Sequence, residues 1–437
     1  IKQENIDRII SDVSIRDVAI DEGITFSKER GGKLWACCPF HKENTPSFFV
    51  DTGTNTWKCY GGCHSGGNVI SLYRKLKNDL PFPIACKELA KKYLNEDIED
   101  DYKPSKEEEE KQKEKESLQI ILSYAQEFYV QCIHEFNPAA NKARETVRKR
   151  WGADAIERFG IGYAPRDGFI EWAMRKGLDF DLLEQVGLIG IGERGKYAML
   201  RDRYTIPIYN KMSNVIGFTA RTMSDDKDIC KYLNLKNSLV YAKDKSVFGI
   251  NFAQKEARLK NKFYLVEGAP DVVKLQSIEI LNTVASLGGA WTENQLKQLY
   301  HISHTVTFIP DADTLKPGNE WPAGTANVFA NGREALAAGF TVNVREIPID
   351  YPAPKKEDPD SWIVDKAHFQ QMKEEEFIYW FCRRRYWPAA DDIEQMTTED
   401  RLKAIADICS LLMMIRDEDL RTSYLTGLCT RYKHSRE

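Results

Sequence analysis

The sequence predicts an α+β chain with a parallel α/β core, a small antiparallel metal-bound unit ahead of it and helices behind it. Strand-like and helix-like segments alternate regularly between 262 and 350, the pattern of βαβ units in a parallel sheet. Three cysteines and a histidine with metal-ligand spacing crowd residues 38–63. A third indication is size, since 437 residues at about 150 per domain give roughly three domains.

Residues 1–95 read as one compact unit. A short helix carries Ile6, Ile9, Ile10 and Val13, a Gly- and aromatic-rich stretch follows, and helices are expected near 68–77 and 83–94. The charged run 96–117 reads as a solvated helix or tether and marks a boundary. A mixed region, 118–260, opens with a helix bearing Ile121, Tyr124, Ala125, Phe128 and Tyr129, then gives short strands at Tyr204–Tyr209 and Val215–Thr219. Within 261–366, strands are expected at Phe263–Val266, Thr283–Ser286, Thr305–Ile309 and Thr341–Ile347, with helices at 270–279, 292–300 and 324–338. The tail 367–437 is expected to be helical, with Leu402, Ile405, Cys409 and Leu412 on its buried face.

Lys and Arg total 62 against 66 Asp and Glu, a net charge of −4, so no global basic excess marks a nucleic-acid binder. A local stripe is sufficient for that purpose. No apolar run approaches the ~20 residues of a membrane helix, and no signal peptide opens the chain, which excludes transmembrane, secreted and fibrous classes. A reducing, cytoplasmic setting is expected, in which clustered cysteines mean metal rather than disulfides. The chain opens at Ile1 without Met, as a piece of a longer protein would.

The cluster reads Cys38-Pro39-Phe40-His41, seventeen residues, then Cys59-Tyr60-Gly61-Gly62-Cys63. Two close ligand pairs separated by a loop suit tetrahedral Zn²⁺, each pair filling two corners. Strands at Ser47–Val50 and Thr56–Lys58 around the turn Asp51–Thr54 complete a zinc ribbon, a closed structural site. Cys37 is expected to point away as a small apolar side chain, and His64 is an alternative fourth ligand. With Thr45-Pro46-Ser47-Phe48 and Gly66-Gly67-Asn68, these residues resemble the zinc-binding domain of bacterial DnaG-type primases, although three residues rather than the usual two separate Cys59 from Cys63. The resemblance implies a template-reading role, for which Trp35, Phe48, Phe49 and Trp57 with Lys33, Lys42 and Lys58 would supply stacking and phosphate contact. At least two of those aromatics are expected to pack the ribbon instead.

Three acidic groups end strands of the alternating region: Glu267 with Asp271, Asp311 with Asp313, and Glu357-Asp358-Pro359-Asp360. In a parallel sheet all emerge at the carboxyl edge, where open α/β folds bind ligands. Converging carboxylates repel unless cations lie between them, so the set suits two hard divalent ions, Mg²⁺ or Mn²⁺. Asp271 and Asp360, each near a helix start, are also placed to be helix caps. The arrangement resembles the Toprim domain, a Rossmann-like fold, with Ala269-Pro270 and Ala312 as departures from its motifs. That resemblance implies that Glu267, Asp311 and Asp313 bind the metal nearer the chemistry and that Asp358 and Asp360 support the nucleotide-bound one.

Between ribbon and acids, Arg158–Pro165, Arg201–Ile208, Val215–Arg221 and Lys231–Asn234 follow the primase polymerase domain in order. The family's phosphate-holding residues fall on Arg150, Arg221, Lys231 and Lys243, with Asn234 beside them. The resemblance covers nearly the whole chain. It implies a DNA primase: a nucleotidyltransferase, monomeric in isolation, that makes short RNA from NTPs on single-stranded DNA and works with a replicative helicase. Two other classes compete with it, a non-catalytic single-strand-binding or loading module and a Toprim nuclease.

Overall fold

The computed structural model describes residues 1–30, 32–41, 43, 45–61, 63, 65–77, 80–98, 106–193, 195–226, 228–300, 302–386, 397–415 and 417–432. They form two compact units, 1–111 and 112–437, divided inside the helix Lys106–His134. His64, Lys42 and residues 99–105 of the expected tether lie outside the described residues.

In the first unit, helices Gln3–Asp12 and Ile15–Asp21 precede five strands: β1 (Lys28–Arg30), β2 (Lys33–Ala36), β3 (Phe48–Asp51), β4 (Thr56–Cys59) and β5 (Gly66–Asn68). All pair antiparallel in sequence order, so the expected two-stranded ribbon is the centre of a wider sheet. The β3–β4 turn forms because Asp51 Oδ1 accepts from Gly53 and Thr54 N–H, closing an Asx turn. Asn55, in the left-handed region, accepts from Ile15 N–H and donates to Ile10 and Val13 carbonyls, pinning the paired helices to the sheet. The second helix went unforeseen although Ser14 caps it through Asp17 N–H. Helices Val69–Leu76 and Phe82–Leu89, extended by a π-helical turn Ala90–Leu94, close a core of Ile9, Ile15, Phe48, Val50, Trp57 and Leu72.

The second unit holds an antiparallel sheet in the order β11-β10-β9-β6, where β6 is Gly162–Ala164, β9 Arg203–Tyr209, β10 Val215–Thr222 and β11 Tyr232–Asn234. A ribbon of β7 (Ile189–Gly192) and β8 (Gly195–Ala198) lies between them in sequence. The third sheet runs β13-β12-β14-β15-β16, from β12 (Phe263–Val266), β13 (Thr283–Ala285), β14 (Thr305–Phe308), β15 (Thr341–Arg345) and β16 (Glu374–Glu376). Its first four strands are parallel, and helices Ala269–Ser277, Glu293–Tyr300 and Ala323–Ala337 connect them as expected.

Two expectations about the tail are corrected. The tail is not wholly helical, because β16 pairs antiparallel with β15 and holds its glutamates against Lys262, Arg345 and Arg383. In the helix Thr398–Met414, Ala404, Ile408, Leu411 and Leu412 face inward, whereas Leu402, Ile405 and Cys409 are exposed. Shared cores run across positions 260 and 366. One core runs from Leu118 to Met372; the other joins the helix Ile250–Lys260 to the parallel sheet and to Leu428. Among the described residues no helix is long and apolar enough to cross a membrane.

Candidate metal centres and nucleic-acid interface

Cys38, His41, Cys59 and Cys63 present ligand atoms within 4.8 Å of one another. Cys38 and Cys63 sulfurs are 3.5 Å apart, close to the roughly 3.8 Å that tetrahedral Zn–S bonds of about 2.3 Å require. The hydrogen bond that Cys38 donates to Cys63, and burial, hold the Cys38 thiol above its ordinary range, and burial raises Cys59. A dication is what lets such sulfurs become thiolates. The extra residue before Cys63 therefore leaves the ligand set closed. Glu43, unforeseen from the sequence, organises it by accepting from Cys38 N–H, Ser47 N–H, Ser47 Oγ and His41 Nε2. That last bond assigns the imidazole the tautomer whose lone pair is on Nδ1. A Cβ on Gly61 would crowd Ser47 Oγ, His41 Nε2 and Glu43 Oε2, so a side chain there would displace the groups that organise the knuckle. Cys37 does point away, as an exposed thiol rather than an apolar filler. Cys59→Ser is expected to release stoichiometric zinc and melt the first unit's sheet, measured by metal content and circular dichroism. Zinc retained in that variant would exclude Cys59 as a ligand.

Of the four aromatics expected to stack bases, Phe48, Phe49 and Trp57 are buried. Trp35 is half-buried, and Tyr60, which the sequence reading passed over, is 55% exposed. Ring centroids run Trp35–Phe49–Tyr60 at 4.9 and 5.7 Å. Lys28, Lys33 and Lys58 sit over these three rings at 5.5, 4.7 and 4.8 Å. Such a strip of π-faces with flanking cations suits single-stranded nucleic acid.

In the second unit the acids meet at the carboxyl edge of the parallel sheet. Ala312 and Glu357 exchange backbone hydrogen bonds of 2.8 and 2.9 Å, which brings the second and third acidic segments together. Gly324 N–H, at the start of the helix Ala323–Ala337, donates to Asp313 Oδ2, and a Cβ on Gly324 would lie 2.3 Å from the Asp311 carbonyl oxygen. Asn327 donates to Glu267 Oε1. Burial, then the Asp311 charge, pushes Glu267 up to about 7. Burial also raises Asp311, whose Oδ1 is buried without a hydrogen-bond partner among the described residues. Lys356, also unforeseen, lies 2.8 Å from Asp311 Oδ2 and 2.7 Å from Asp313 Oδ1. Glu267, Asp311 and Asp313 are thus crowded, partly desolvated oxygen donors, which fits a hard divalent cation.

The other expected metal ligands have other partners. Asp271 is buried in the first turn of Ala269–Ser277, where it accepts from Gly268 N–H and Asp360 N–H; burial holds its carboxyl well above the ordinary range. Asp358, not Asp360, caps Pro359–Trp362 through Ser361 N–H. Asp360 is buried and occupied on both oxygens, by Trp151 Nε1 at 2.5 Å and by the Arg150 guanidinium at 2.5 Å. These partners differ from the expected ones, a metal for Asp360 and a phosphate for Arg150. Arg150 Nη1 meets the Tyr204 and Tyr232 hydroxyls, and Arg221 Nη1 also reaches Tyr204. Pairing of β10 with β11 sets Arg221 opposite Tyr232 and Asn234 opposite Thr219, one sheet face for all four. Lys231 is exposed beside them. Exposed Lys243 runs alongside Gly288, just beyond β13, so it reaches the carboxyl edge of the parallel sheet.

Residues 1–106 match the CHC2 zinc finger family, and residues 131–254 match the N-terminal domain of the DNA primase catalytic core. A DNA primase of Pseudomonas putida is 32% identical over 376 residues, 83% of this chain and 53% of that protein. The chain belongs to the bacterial DnaG-type primase family. It resembles the zinc-binding and RNA polymerase domains of the Aquifex aeolicus primase, with 26% identity, a TM-score of 0.59, and coverage of 99% of this chain and 98% of that one. The RNA polymerase domain of Mycobacterium tuberculosis primase, solved with double-stranded DNA, is 25% identical, with 73% of this chain and 99% of that one covered and a TM-score of 0.59. This primase-family chain spans about half the length of the curated relatives it matches. Its departures from the family's motifs are compatible with the local backbone. Ala269-Pro270 opens a helix capped by Gly268, where proline's missing N–H is not needed, and Asp271 keeps its place in the first turn. Ala312 acts through its backbone bridge to Glu357.

Proposed function

We propose that this chain is a DNA primase, a nucleotidyltransferase that makes short RNA from NTPs on a single-stranded DNA template. The observation that carries the reading is the convergence of Glu267, Asp311 and Asp313 at the carboxyl edge of the parallel sheet in a chain of this family. Mg²⁺ or Mn²⁺ held by these oxygens would activate the primer 3′-hydroxyl and stabilise the departing pyrophosphate. Glu267 and Asp311 supply oxygens whose charge is costly without a cation; Asp358, half-buried, is near enough to Asp311 to add to its repulsion. Lys243, Lys231 and Arg221 bind triphosphate or template phosphates, with Asn234 on the Arg221 face. No side chain need act as a nucleophile.

Residues 1–95 serve as the template reader, 118–260 as the basic platform, 261–366 as the catalytic sheet, and 367–437 as a buttress packed on that sheet through Phe377, Trp380 and Phe381. A cytoplasmic setting and a replicative helicase as partner follow from this reading. Incorporation of NTPs on single-stranded DNA tests it. RNA product that requires a divalent ion supports a primase, DNA binding without product supports a loading module, and cut DNA supports a nuclease.

For the first unit, Tyr60→Ala is expected to weaken single-stranded DNA binding by about 1–3 kcal/mol, the worth of one stacked base. Stability should hardly change, because the ring is largely exposed. Fluorescence anisotropy with an oligonucleotide and a thermal melt check both. Unchanged affinity would leave the aromatic strip without a template role.

A further inference from the structure

Two adjacent lysines precede the third acidic segment, and their ammonium groups end in different places. Lys355 Nζ meets Glu357 Oε1 at 2.6 Å, with 79% of its side chain exposed. Lys356 Nζ bridges Asp311 and Asp313 instead. The backbone dictates this. Ala312 and Glu357 are partners in an antiparallel bridge, so Lys356 stands across from Asp313. The two carboxylates are 10% and 12% exposed, but the lysine side chain is 56% exposed, so its ammonium can swing out without opening the core. Asp311 Oδ1 is the oxygen the lysine leaves unpaired.

We infer that Lys356 is a tethered internal cation that fills the Asp311–Asp313 pair while no divalent metal is bound, and that a metal must displace it to bind. The inference rests on the metal reading of this site. A monovalent ammonium and a dication repel each other at such range and cannot share two carboxylates. The lysine keeps the metal-free acids from splaying, and in doing so it competes with every ion that binds there.

Mn²⁺ titration of the full chain without nucleotide, with free Mn²⁺ read by electron paramagnetic resonance, tests this directly. Lys356→Met is expected to tighten Mn²⁺ binding at the Asp311-dependent site about tenfold. Lys355→Met removes the same charge one residue away and should change affinity less than about threefold. Lys356→Gln is the second variant, in case methionine disturbs the exposed loop, and Asp311→Asn identifies the site being read. An Asp311-dependent affinity that is equal in the Lys355 and Lys356 variants, or weaker in the latter, overturns the inference and leaves the metal reading standing. Mn²⁺ binding that is absent or indifferent to Asp311→Asn in every protein overturns both.

Discussion

Asp311→Asn is expected to abolish RNA synthesis, lowering the rate by more than about a hundredfold, roughly 2.7 kcal/mol of barrier. The fold should survive. Asparagine keeps the shape of the side chain, Lys356 retains Asp313, and the lost charge is one that burial and neighbouring carboxylates already make costly. A thermal melt should therefore hold or rise slightly while RNA product disappears. Asp313→Asn should lose activity similarly, and it additionally perturbs the acceptor of Gly324 N–H, so its melt is the more exposed to loss. Retention of more than about a tenth of the wild-type rate in Asp311→Asn, less than roughly 1.4 kcal/mol of barrier, would remove Asp311 from the chemistry.

Arg150→Met should destabilise the second unit by about 3–5 kcal/mol, the cost of leaving one partner of a buried ion pair uncompensated. The Asp360 side chain is 4% exposed and would keep only Trp151 Nε1 as a donor, while Tyr204 and Tyr232 would lose the guanidinium between them. The substitution also separates a structural residue from a phosphate contact. A phosphate contact predicts a stability loss below about 1 kcal/mol and a single-strand salt slope flatter by about 0.7. Urea unfolding and the salt dependence of oligonucleotide binding decide between them; the flatter slope with an unchanged urea midpoint would restore Arg150 to the template surface.

The parallel sheet was legible because its strands are short apolar runs closed by polar residues and spaced by helix-length segments. Phe263–Val266 was read to the residue. The three glutamates of β16 gave no strand signal, since glutamate is depleted in strands and this one is held by lysine and arginine partners distant in sequence. In Thr398–Met414 apolar residues occur on nearly every side, so spacing allows two inward faces, and packing selects that of Ala404, Ile408 and Leu411. The metal ligands were legible because each pair is local. Their supporting contacts were not: Glu43 carries no motif, and Arg150 finds Asp360 from 210 residues away. Two aspartates separated by one proline cannot be assigned cap and ion-pair roles from sequence; the register of the short helix decides between them.

The strand β16 also bears on how this protein behaves at high concentration. As the last strand of its sheet, it presents one side of its backbone without a neighbouring strand among the described residues. Such a margin is a template on which another polypeptide can add a strand and start a growing aggregate. Here Glu374 and Glu375 are tied to Lys262, Arg345 and Arg383, and exposed Glu376 sets a carboxylate on the margin that an arriving strand would have to desolvate. Replacing Glu376 with valine would remove that charge and favour association into multimers under conditions where the parent chain stays dispersed.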